Sequence, residues 1–488
     1  MMQKQKKRIL MELQDASLGY SGITQESQLL FSTFQSLSTI QCDGLIVNQQ
    51  PTLLKPLVKS LLNKNQPIKL FSDFIIQYKN SLLDAKNWPS HTEIALLALR
   101  LFFLGSSGFL WPAIKPMSIN TKGFETFLWE TFFASGIDSS QFEKVTTAAF
   151  RILKQPLTLL NILGNYTPHY PRLDTKEYAI FLTQSPFPAK VAAKTLHVVR
   201  YHDAVPIFAP QFIEHPKFHQ KFHYNALKKN SKKAIFVCSS EATRQDLLRL
   251  FPILEKRSHV IHDAVANHYF VETKSQHKLH DIIRARIVNS NYLAANDLAG
   301  KTTSFAYLLM VSTIEPRKNH LRLIEAWERV RGLLKKDLKL ILVGNIGWDE
   351  KRILNAMKPW QQKGALFHLH HVPPSELRYL FNHASCVVCP SLYEGFDISG
   401  IEAMLCGAKV AASNIAVHRE VYRDFAIYFN PFSVDEQANV IAKIILAKDE
   451  GLNKKGLKWA QRYLPEAIVP QWEDFLMLVK NCQTRINY

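Results

Sequence analysis

Two glutamates lie eight positions apart in the stretch "SLYEGFDISGIEAMLCG", residues 391–407, around what reads as a strand-to-helix corner. A helix N-terminus accommodates a phosphate through its free N–H groups and its dipole, and a carboxylate touching that phosphate would be repelled. Glu402, inside the predicted helix, should therefore accept the hydroxyls of a neutral ring such as ribose. Glu394, one loop earlier, should reach a second hydroxylated group. The pair predicts a ligand with hydroxyls on both sides of a diphosphate, as in a nucleotide sugar.

Two cations, Arg317 and Lys318, follow the apolar stretch 305–312 closely and should project from the carboxyl end of a strand. Arginine offers a planar fork that suits phosphate oxygens, and lysine offers a compact positive charge. The plainer alternative is a solvated loop with two cations, which is common in a basic protein. The sequence leaves both interpretations of this pair open.

Two of the candidate residues also have an ordinary structural interpretation. Ser399 and Glu402 fit a capping box, in which the glutamate would accept backbone N–H groups instead of a ligand. His202 ends the predicted strand 194–203 and, judged by its position alone, would be a satisfied core or loop histidine. Both alternatives stay open at the level of the residues.

The elements that must position these residues alternate regularly in the second half of the chain. Strand-like and helix-like segments follow one another through 305–445, a pattern typical of a parallel sheet covered on both faces. The first half has similar strands at 194–203 and 258–265, whereas 50–150 is largely helical by pattern. Ligands of such sheets bind outside the carboxyl ends of the strands. The residues that follow predicted strands are Gly22, His202, Arg317, Lys318, Gly344, Glu394 and Gly395.

With 488 residues the chain is too long for one ordinary core, and two domains facing each other across a cleft are the natural expectation. A polar stretch near 271–300 predicts the boundary. We therefore expect an α/β protein with a Rossmann-like N-terminal domain over 1–285 and a second Rossmann-like domain over 300–465. A C-terminal helix over 466–488 could pack back on the first domain.

The charge of the chain limits the classes of partner. A formal net charge of +19 suits nucleic acid, an anionic membrane face or phosphorylated small molecules. No basic-aromatic motif typical of nucleic-acid binding is present, so that class is disfavoured. The apolar stretch 101–114 is too short to span a bilayer and is either core or a surface that dips into a membrane.

The cysteines and the N-terminus bear on the compartment. Six cysteines show no disulfide framework, and no long apolar signal segment is present. Cys386 and Cys389 form a C-x-x-C pair inside an apolar run, which favours a buried strand over a redox or metal site. We expect a cytoplasmic location, with peripheral contact at the inner face of the membrane as an alternative.

Several stretches, in the same order along the chain, resemble family 4 glycosyltransferases of the GT-B fold, the glycosyl transferases group 1. The segment "EGFDISGIEAMLCG" is similar to the family's E-x7-E signature, and "VSTIEPRKNHLRLIEAW" is similar to its donor-diphosphate loop. "LQDASLGYSGITQE" near the start resembles the family's first glycine loop. The likeness covers most of 300–450 and parts of 1–30 and 195–270, and it leaves 50–150 uncovered.

The resemblance implies transfer of a sugar from a nucleotide donor, with retention of anomeric configuration and without a metal ion or other cofactor. It implies that Arg317 and Lys318 hold the diphosphate of the donor. It also implies that Glu402 takes the ribose hydroxyls and that Glu394 takes the donor sugar. In such a reaction the donor's own phosphate helps to deprotonate the acceptor hydroxyl.

The N-terminal half contributes to the site by the same resemblance. His202 is similar to the histidine that contacts the transferring sugar, and Asp203 is expected to orient it. Gly22 would let the backbone approach the phosphates. The remaining predicted donor-binding residues are Gly344, Gly395 and Phe396.

One departure from the family pattern lies directly after the first glutamate. Asp397, Ile398 and Ser399 replace the usual Gly-Leu-Pro and put an anion close to the predicted diphosphate. Asp397 could cap the helix, since aspartate is a good N-cap, or it could contact donor hydroxyls. Mannose donors are frequent among similar sequences, so GDP-mannose is the first candidate and a UDP-sugar the other.

These expectations combine into one predicted function. The chain would be a retaining, metal-independent glycosyltransferase that moves a hexose, mannose first, to a saccharide or lipid-linked acceptor in cell-surface glycan synthesis. The alternative is a non-catalytic relative that binds a nucleotide sugar or a polyanion. Glu394 and His202 from opposite domains favour the enzyme, because a binding protein has no need of both.

Overall fold

The computed structural model describes ten parts of the chain, which are residues 6–17, 22–47, 113–153, 157, 160–161, 170–213, 216–273, 278–288, 305–447 and 451–486. Within them the chain forms two units, each built on a sheet of mainly parallel strands with helices packed against it. The predicted α/β class with two Rossmann-like sheets is confirmed. The expectations for 50–112, including the apolar stretch up to residue 112, lie outside the described residues.

The first sheet has eight strands: Lys7–Glu12 (β1), Ile40–Val47 (β2), Met117–Ile119 (β3), Phe150–Leu153 (β4), Ile180–Thr183 (β5), Leu196–Tyr201 (β6), Ile235–Cys238 (β7) and Ser258–Val260 (β8). Their order is β3-β4-β2-β1-β5-β6-β7-β8, and all neighbours are parallel except β3 and β4. Chain order reverses at β1 and β5. The ends of these two strands therefore flank the switch point at which open α/β sheets bind ligands.

The helices of the first unit are Gly22–Ser36 (α1), Glu125–Phe132 (α2), Phe142–Thr146 (α3), Val205–Phe208 (α4), Pro216–Asn230 (α5) and Glu241–Leu250 (α6). In the described part of 50–150, helices α2 and α3 are accompanied by the short strand β3, and β4 begins at residue 150. Phe150 and Ile152 of β4 point into the core of this sheet, where they are almost fully buried. Their shared face is typical of a strand, and β4 is paired with β2 along its length.

The second sheet has six strands: Tyr307–Val311 (β9), Lys339–Val343 (β10), Leu366–Leu369 (β11), Cys386–Cys389 (β12), Val410–Ser413 (β13) and Ile427–Phe429 (β14). All pairs are parallel, in the order β11-β10-β9-β12-β13-β14. Alternate residues of β9 enter different cores: Leu308 and Met310 lie on one face, and Tyr307 and Leu309 on the other. The switch point lies between β9 and β12. The predicted buried strand at the C-x-x-C pair is confirmed.

The helices of the second unit are Leu279–Arg286 (α7), His320–Leu334 (α8), Lys351–Gln362 (α9), Pro374–His383 (α10), Ile398–Leu405 (α11), Ala416–Tyr422 (α12), Val434–Leu446 (α13) and Gly451–Ala460 (α14). The apolar stripe of α7 packs in the core of the second sheet through Leu279, Ile282 and Ile283. The N-terminal range 1–285 drawn from the sequence thus includes a helix that packs with the second unit.

The last helix, Pro465–Ile486 (α15), returns to the first unit. Ile468, Trp472 and Phe475 lie in the core of the first sheet, and the Trp472 ring packs edge-on against Phe34 of α1. The chain crosses between the units twice: it passes to the second unit between β8 and α7, and it returns to the first unit between α14 and α15. Among the helices that the structure describes, none has both the length and the apolar character that crossing a bilayer requires.

Candidate active site

A cleft of about 390 Å³ lies between the two units at the carboxyl ends of both sheets. Its lining includes every residue that the sequence predicts for the site: Gly22, His202, Arg317, Lys318, Gly344, Glu394, Gly395, Phe396 and Glu402. Asp203 and Asp397 line it as well. The topology therefore brings together residues that are up to 380 positions apart in the sequence.

The cations and the first glutamate meet because their strands are neighbours at the switch point. Arg317 and Lys318 lie in a 3₁₀ turn, Pro316–Lys318, after β9, and Glu394 lies in the loop after β12. Glu394 bridges both cations: its Oε2 is 2.5 Å from Nη1 of Arg317 and its Oε1 is 2.5 Å from Nζ of Lys318. Both cations are mostly buried, so the alternative of a solvated loop does not hold.

The turn that carries the cations is held by its own chain and by the adjacent loops. Asn319 adopts a left-handed conformation with φ of 66°, and its amide donates to the carbonyls of Pro390 and Pro431 at 3.0 and 2.8 Å. Asparagine tolerates this conformation better than most residues. The guanidinium of Arg317 also donates to the carbonyl of Tyr393 at 2.8 Å. The two loops of the switch point are thereby fixed to each other.

Glu394 is ionised by its surroundings. Burial alone would raise the pKa of Glu394, but the charges of Arg317 and Lys318 act more strongly and lower it. The carboxylate is consequently available as an acceptor only. It can orient the two cations and still accept a hydroxyl from a ligand in the cleft.

Glu402 behaves in the opposite way on the same wall. It lies one turn into α11 with 3% of its surface exposed, and its Oε1 has no hydrogen-bond partner among the described residues. Burial raises the pKa of Glu402 to about 8, against the opposing effect of hydrogen bonds from Tyr269 and Gln25. A buried polar atom without a partner is costly, and a ligand hydroxyl would satisfy it.

The capping-box interpretation of Glu402 is wrong, because Asp397 caps α11 instead. Oδ1 of Asp397 accepts from the backbone N–H of Ser399 at 3.2 Å and from its hydroxyl at 2.7 Å. Of the two roles expected for Asp397, helix capping is therefore confirmed. Capping at this position leaves Glu402 free to face the cleft.

His202 faces this wall from the first unit, directly after β6. It is 8% exposed, and its Nε2 lies 3.1 Å from Oε1 of Gln184. Burial, together with the nearby guanidinium of Arg200, lowers the pKa of His202 well below its usual value. The ring is thus neutral, Nε2–H donates to Gln184, and Nδ1 is left as a buried acceptor without a partner among the described residues.

The expectation that Asp203 orients His202 is wrong. The Asp203 carboxylate instead accepts from the backbone N–H of Val205, the first residue of the short helix α4, at 3.0 Å. Gln184 takes the expected role from the end of β5, and its own N–H is held by Oε2 of Glu12 at 3.0 Å. β1 and β5 are neighbours at the switch point of the first sheet. Glu12 at the end of β1 and Gln184 directly after β5 are therefore adjacent.

A buried arginine, Arg200, links several elements of the first unit close to the cleft. Arg200 is fully buried and pairs with Glu26 of α1 at 3.0 Å and with Asp263 after β8 at 2.5 Å. Its guanidinium also lies 5.5 Å from the ring of Trp472 in α15. The arginine therefore ties α1, β6 and the returning C-terminal helix to one point, and Asp263 presents its other side to the cleft.

Two predicted glycines are required by close backbone approach. A Cβ on Gly395 would lie 1.8 Å from the carbonyl oxygen of His202, so only glycine lets the two walls meet there. Gly344 has φ of 152°, and a Cβ would lie 2.0 Å from the carbonyl of Ser312. Gly22, the first residue of α1, is exposed at the cleft.

The two units are joined by polar contacts beside the site. The carbonyl of Gly395 accepts from the hydroxyls of Ser240 at 2.7 Å and of Thr243 at 3.1 Å. Glu420 of α12 accepts from the backbone N–H groups of Glu241 and Ala242 at 2.7 and 2.9 Å. A carboxylate of the second unit thus caps helix α6 of the first unit.

Sequence reasoning missed Gln184, Arg200 and Glu420. The apolar run "AIFLT" before Gln184 was a usable strand signal, because a polar residue at the end of a buried strand faces a site in such folds. Arg200 and Glu420 find their partners only in the folded chain. Among the residues that the structure describes, no three or more His, Cys, Asp or Glu side chains converge as a metal site would require.

Comparison with known families places this site in context. Residues 298–459 match the sequence model of the glycosyl transferases group 1. The chain is 28% identical over 239 residues to O-antigen chain mannosyltransferase B of Escherichia coli, covering 49% of this chain and 58% of that protein. It is 26% identical over 233 residues to O-antigen chain mannosyltransferase RfbU of Salmonella typhimurium, covering 48% and 56%. The match thus spans somewhat more than half the length of these two relatives.

A solved structure shares the fold across nearly the whole chain. The crystal structure of Anabaena HepE in complex with UDP-glucose superposes with a TM-score of 0.57 at 15% identity, covering 96% of this chain and 99% of that one. At this identity the likeness is one of fold. It supports the two-sheet architecture with a cleft between the sheets.

Proposed function

We propose that this chain, whose residues 298–459 are a glycosyl transferases group 1 domain, is a glycosyltransferase that uses a nucleoside diphosphate sugar. It moves a hexose to a saccharide or lipid-linked acceptor. The observation that carries the proposal is the meeting of Arg317, Lys318 and Glu394 in one cleft with His202 from the other unit. The UDP-glucose complex of HepE, a protein of the same fold, supports this class of ligand.

The reaction breaks the bond between the anomeric carbon and the diphosphate oxygen and forms a bond from that carbon to the acceptor oxygen. The proton of the acceptor hydroxyl goes to a phosphate oxygen of the donor, so no side-chain base is required. Negative charge grows on the departing diphosphate, and Arg317, Lys318 and the N-terminus of α11 stabilise it. Attack on the face that the leaving group vacates gives retention of configuration.

The two acids and the histidine hold the neutral parts of the donor. Glu402 is hydrogen-bonded to the ribose hydroxyls through its unpartnered oxygen, and Glu394 accepts a hydroxyl of the sugar. Nδ1 of His202 accepts another sugar hydroxyl from the opposite wall. These contacts fix the anomeric carbon between the walls, where an acceptor can reach it.

The names of the relatives favour mannose as the sugar and a cell-surface glycan such as O-antigen as the product. GDP-mannose is therefore the first donor to test, with UDP-sugars next. Independence from metal ions belongs to the same proposal, because the two fixed cations can supply the charge that a metal supplies elsewhere. A cytoplasmic location and contact with the inner face of the membrane stay predictions.

A panel of nucleotide sugars tests the function in two stages. Thermal shift should show that one donor raises the melting temperature, since a ligand that binds only the folded state stabilises it. That donor should then release its nucleoside diphosphate, slowly with water and faster with a glycan acceptor, and EDTA should leave the rate unchanged. Stabilisation without any release would indicate the non-catalytic alternative. A panel without any stabilising member would overturn the proposal.

A further inference from the structure

Glu315 lies at the start of the turn that carries the two cations, and its side chain contacts one of them. It is buried, with 2% of its surface exposed. It occupies the N-cap position of the turn Pro316–Lys318, but its side chain makes no capping hydrogen bond there. Instead, Oε1 of Glu315 lies 3.0 Å from Nε and 2.8 Å from Nη2 of Arg317. One carboxyl oxygen thus holds the Nε side of the guanidinium, whether the carboxyl group is ionised or protonated on Oε2.

The contacts of Arg317 use most of its N–H groups, of which a guanidinium has five. Glu315 takes the hydrogen of Nε and one hydrogen of Nη2. Nη1 donates to the carbonyl of Tyr393 at 2.8 Å and to Oε2 of Glu394 at 2.5 Å. Five N–H groups less these four leave one, on Nη2. Arg317 therefore meets a ligand in the cleft with one N–H group and its charge, and not with the full planar fork.

We propose that Glu315 is a positioning residue, which fixes the guanidinium of Arg317 so that its remaining N–H group and its charge are directed at the leaving diphosphate. This inference rests on the proposed function, because that function assigns the diphosphate to the two cations. A group that is already held in place needs no reorganisation when negative charge develops on the diphosphate. Glu315 is buried behind the guanidinium and acts through it.

Lys318, the neighbouring cation, is held in a different way. Its Nζ carries three N–H groups, and Glu394 takes one of them at 2.5 Å. Among the described residues Nζ makes no second hydrogen bond, so the other N–H groups can reach phosphate oxygens. Lys318 thus supplies the adaptable contact and Arg317 the fixed one. Loss of the fixed contact should act mainly on the chemical step, because Lys318 still binds the nucleotide.

The simpler alternative is that Glu315 only stabilises the turn. Asn319, however, already ties the turn to two loop carbonyls of the second unit, at 3.0 and 2.8 Å. The side chain of Glu315 adds no capping hydrogen bond to the turn. Its carboxyl oxygen is instead the acceptor for Nε of Arg317. We therefore assign the carboxyl group to the guanidinium and not to the turn.

The test compares Glu315→Gln with Glu315→Ala by the initial rate of GDP release from GDP-mannose or of UDP release from UDP-glucose. Both replacements are neutral, but glutamine keeps an oxygen for Nε and Nη2. Glu315→Ala should lower kcat by about tenfold, in line with the loss of a hydrogen bond to a charged group, whereas KM should change less. Glu315→Gln should keep most of the rate. The gap between the two variants should close in an Arg317→Lys background, since lysine has no Nε–H group to hold.

Equal rates for the two variants, or a gap that persists with Arg317→Lys, would contradict the inference. Crystal structures of the ligand-free proteins give a measurement that does not depend on the function. The guanidinium should keep its place in Glu315→Gln and be displaced in Glu315→Ala, or in Glu315→Asp if the alanine variant does not fold. A guanidinium that stays in place would overturn the inference. Displacement in a protein whose wild type releases neither GDP nor UDP would instead count against the proposed function and against the diphosphate role of Arg317.

Discussion

The two walls of the cleft lie at equivalent places, the switch points of the two mainly parallel sheets, but they carry side chains of different charge. The wall from the second sheet carries full charges in direct contact, with Glu394 bridging Arg317 and Lys318 at 2.5 Å each. The wall from the first sheet presents the neutral ring of His202, held by Gln184, beside the carboxyl groups of Asp203 and Asp263, with no cation among its described lining residues. A diphosphate matches the first kind of wall and a sugar ring matches the second. The contrast indicates how the site divides one ligand into a charged and a neutral part.

The same contrast recurs on a smaller scale between the two glutamates. Glu394 and Glu402 lie on one wall, but cations lower the pKa of the first and burial raises that of the second to about 8. Residue type alone would make them equivalent. Their environments give one acid an electrostatic role and leave the other as a buried partner for hydroxyls.

Removing one of the two cations should produce the largest effect on turnover, because these side chains should stabilise the charge of the leaving diphosphate. Lys318→Ala or Arg317→Ala should lower turnover by about 10² to 10³-fold, as expected when a fixed donor to a developing oxyanion is lost. Glu394 would also lose a partner. Initial rates of nucleoside diphosphate release measure the loss. Lys336→Ala, an exposed lysine on the same unit, is the matched control and should keep the wild-type rate. Normal turnover in both cation variants would remove the assignment of the charged wall.

A change in the neutral wall should be smaller and of a different kind. Gln184→Ala frees the ring of His202 and should lower kcat/KM by about tenfold, in line with the loss of one buried hydrogen bond. Affinity for GDP or UDP alone should not change, since the diphosphate lies on the other wall. Gln184→Glu keeps an acceptor for Nε2–H and should recover part of the rate. If Gln184→Ala weakened nucleoside diphosphate binding as strongly as it weakened turnover, the division between the walls would be wrong.

The two glutamates should give opposite pH dependences of stability. The pKa of Glu402 is raised from 4.5 to about 8, so the folded state holds a proton that the unfolded state releases, and stability falls as pH rises through this interval. Glu402→Gln should remove that slope and melt above wild type near pH 8.

For Glu394, whose pKa is lowered, stability is lost as pH falls below 4.5, and Glu394→Gln should be destabilised near neutral pH. Melting temperatures measured from pH 4 to pH 9, in steps of about one pH unit, check both pH dependences. Parallel curves for wild type and Glu402→Gln would contradict it.

The smallest effect should come from the contact that joins the walls. Glu420→Gln keeps one acceptor for the N-terminus of α6 but loses the charge and one hydrogen bond. The expected loss is about 0.5–1 kcal/mol of unfolding free energy, the size of a charge at a helix terminus. Urea melts give the value, and Glu325→Gln, on the exposed face of α8, is the control. A loss equal to that of the control would show that this contact does not hold the units together.

The sequence was informative where a motif and a strand end coincide. Arg317, Lys318 and Glu394 could be predicted because each follows an apolar strand in a regular alternation of strands and helices, and Glu402 because it lies in the helix that starts at the same corner. The partners of these residues could not be predicted in the same way. That Glu394 pairs with both cations depends on β9 and β12 being neighbours, and strand order is a property of the folded sheet.

The first unit was harder to predict because its key residues act through tertiary contacts. Gln184 carries no motif and matters only through its distance to His202. Strands β3 and β4 are short, and the pairing of β4 with β2 and of β3 with β4 defines them more than their own composition does. The packing of α7 on the second sheet was hidden by the polar stretch around it, although its apolar spacing was regular. The local sequence pattern thus predicted the strands and helices, whereas the roles of individual side chains depend on contacts between elements that are distant in the sequence.

A crystal structure of the protein with bound GDP or UDP tests the central claim most directly. The division into charged and neutral walls predicts the diphosphate between Arg317, Lys318 and the N-terminus of α11. It also predicts ribose hydroxyls on Oε1 of Glu402 and an open space in front of His202 for the sugar. A nucleotide bound outside this cleft, or one bound inside it with its ribose on His202 and its phosphates away from the two cations, would contradict the account.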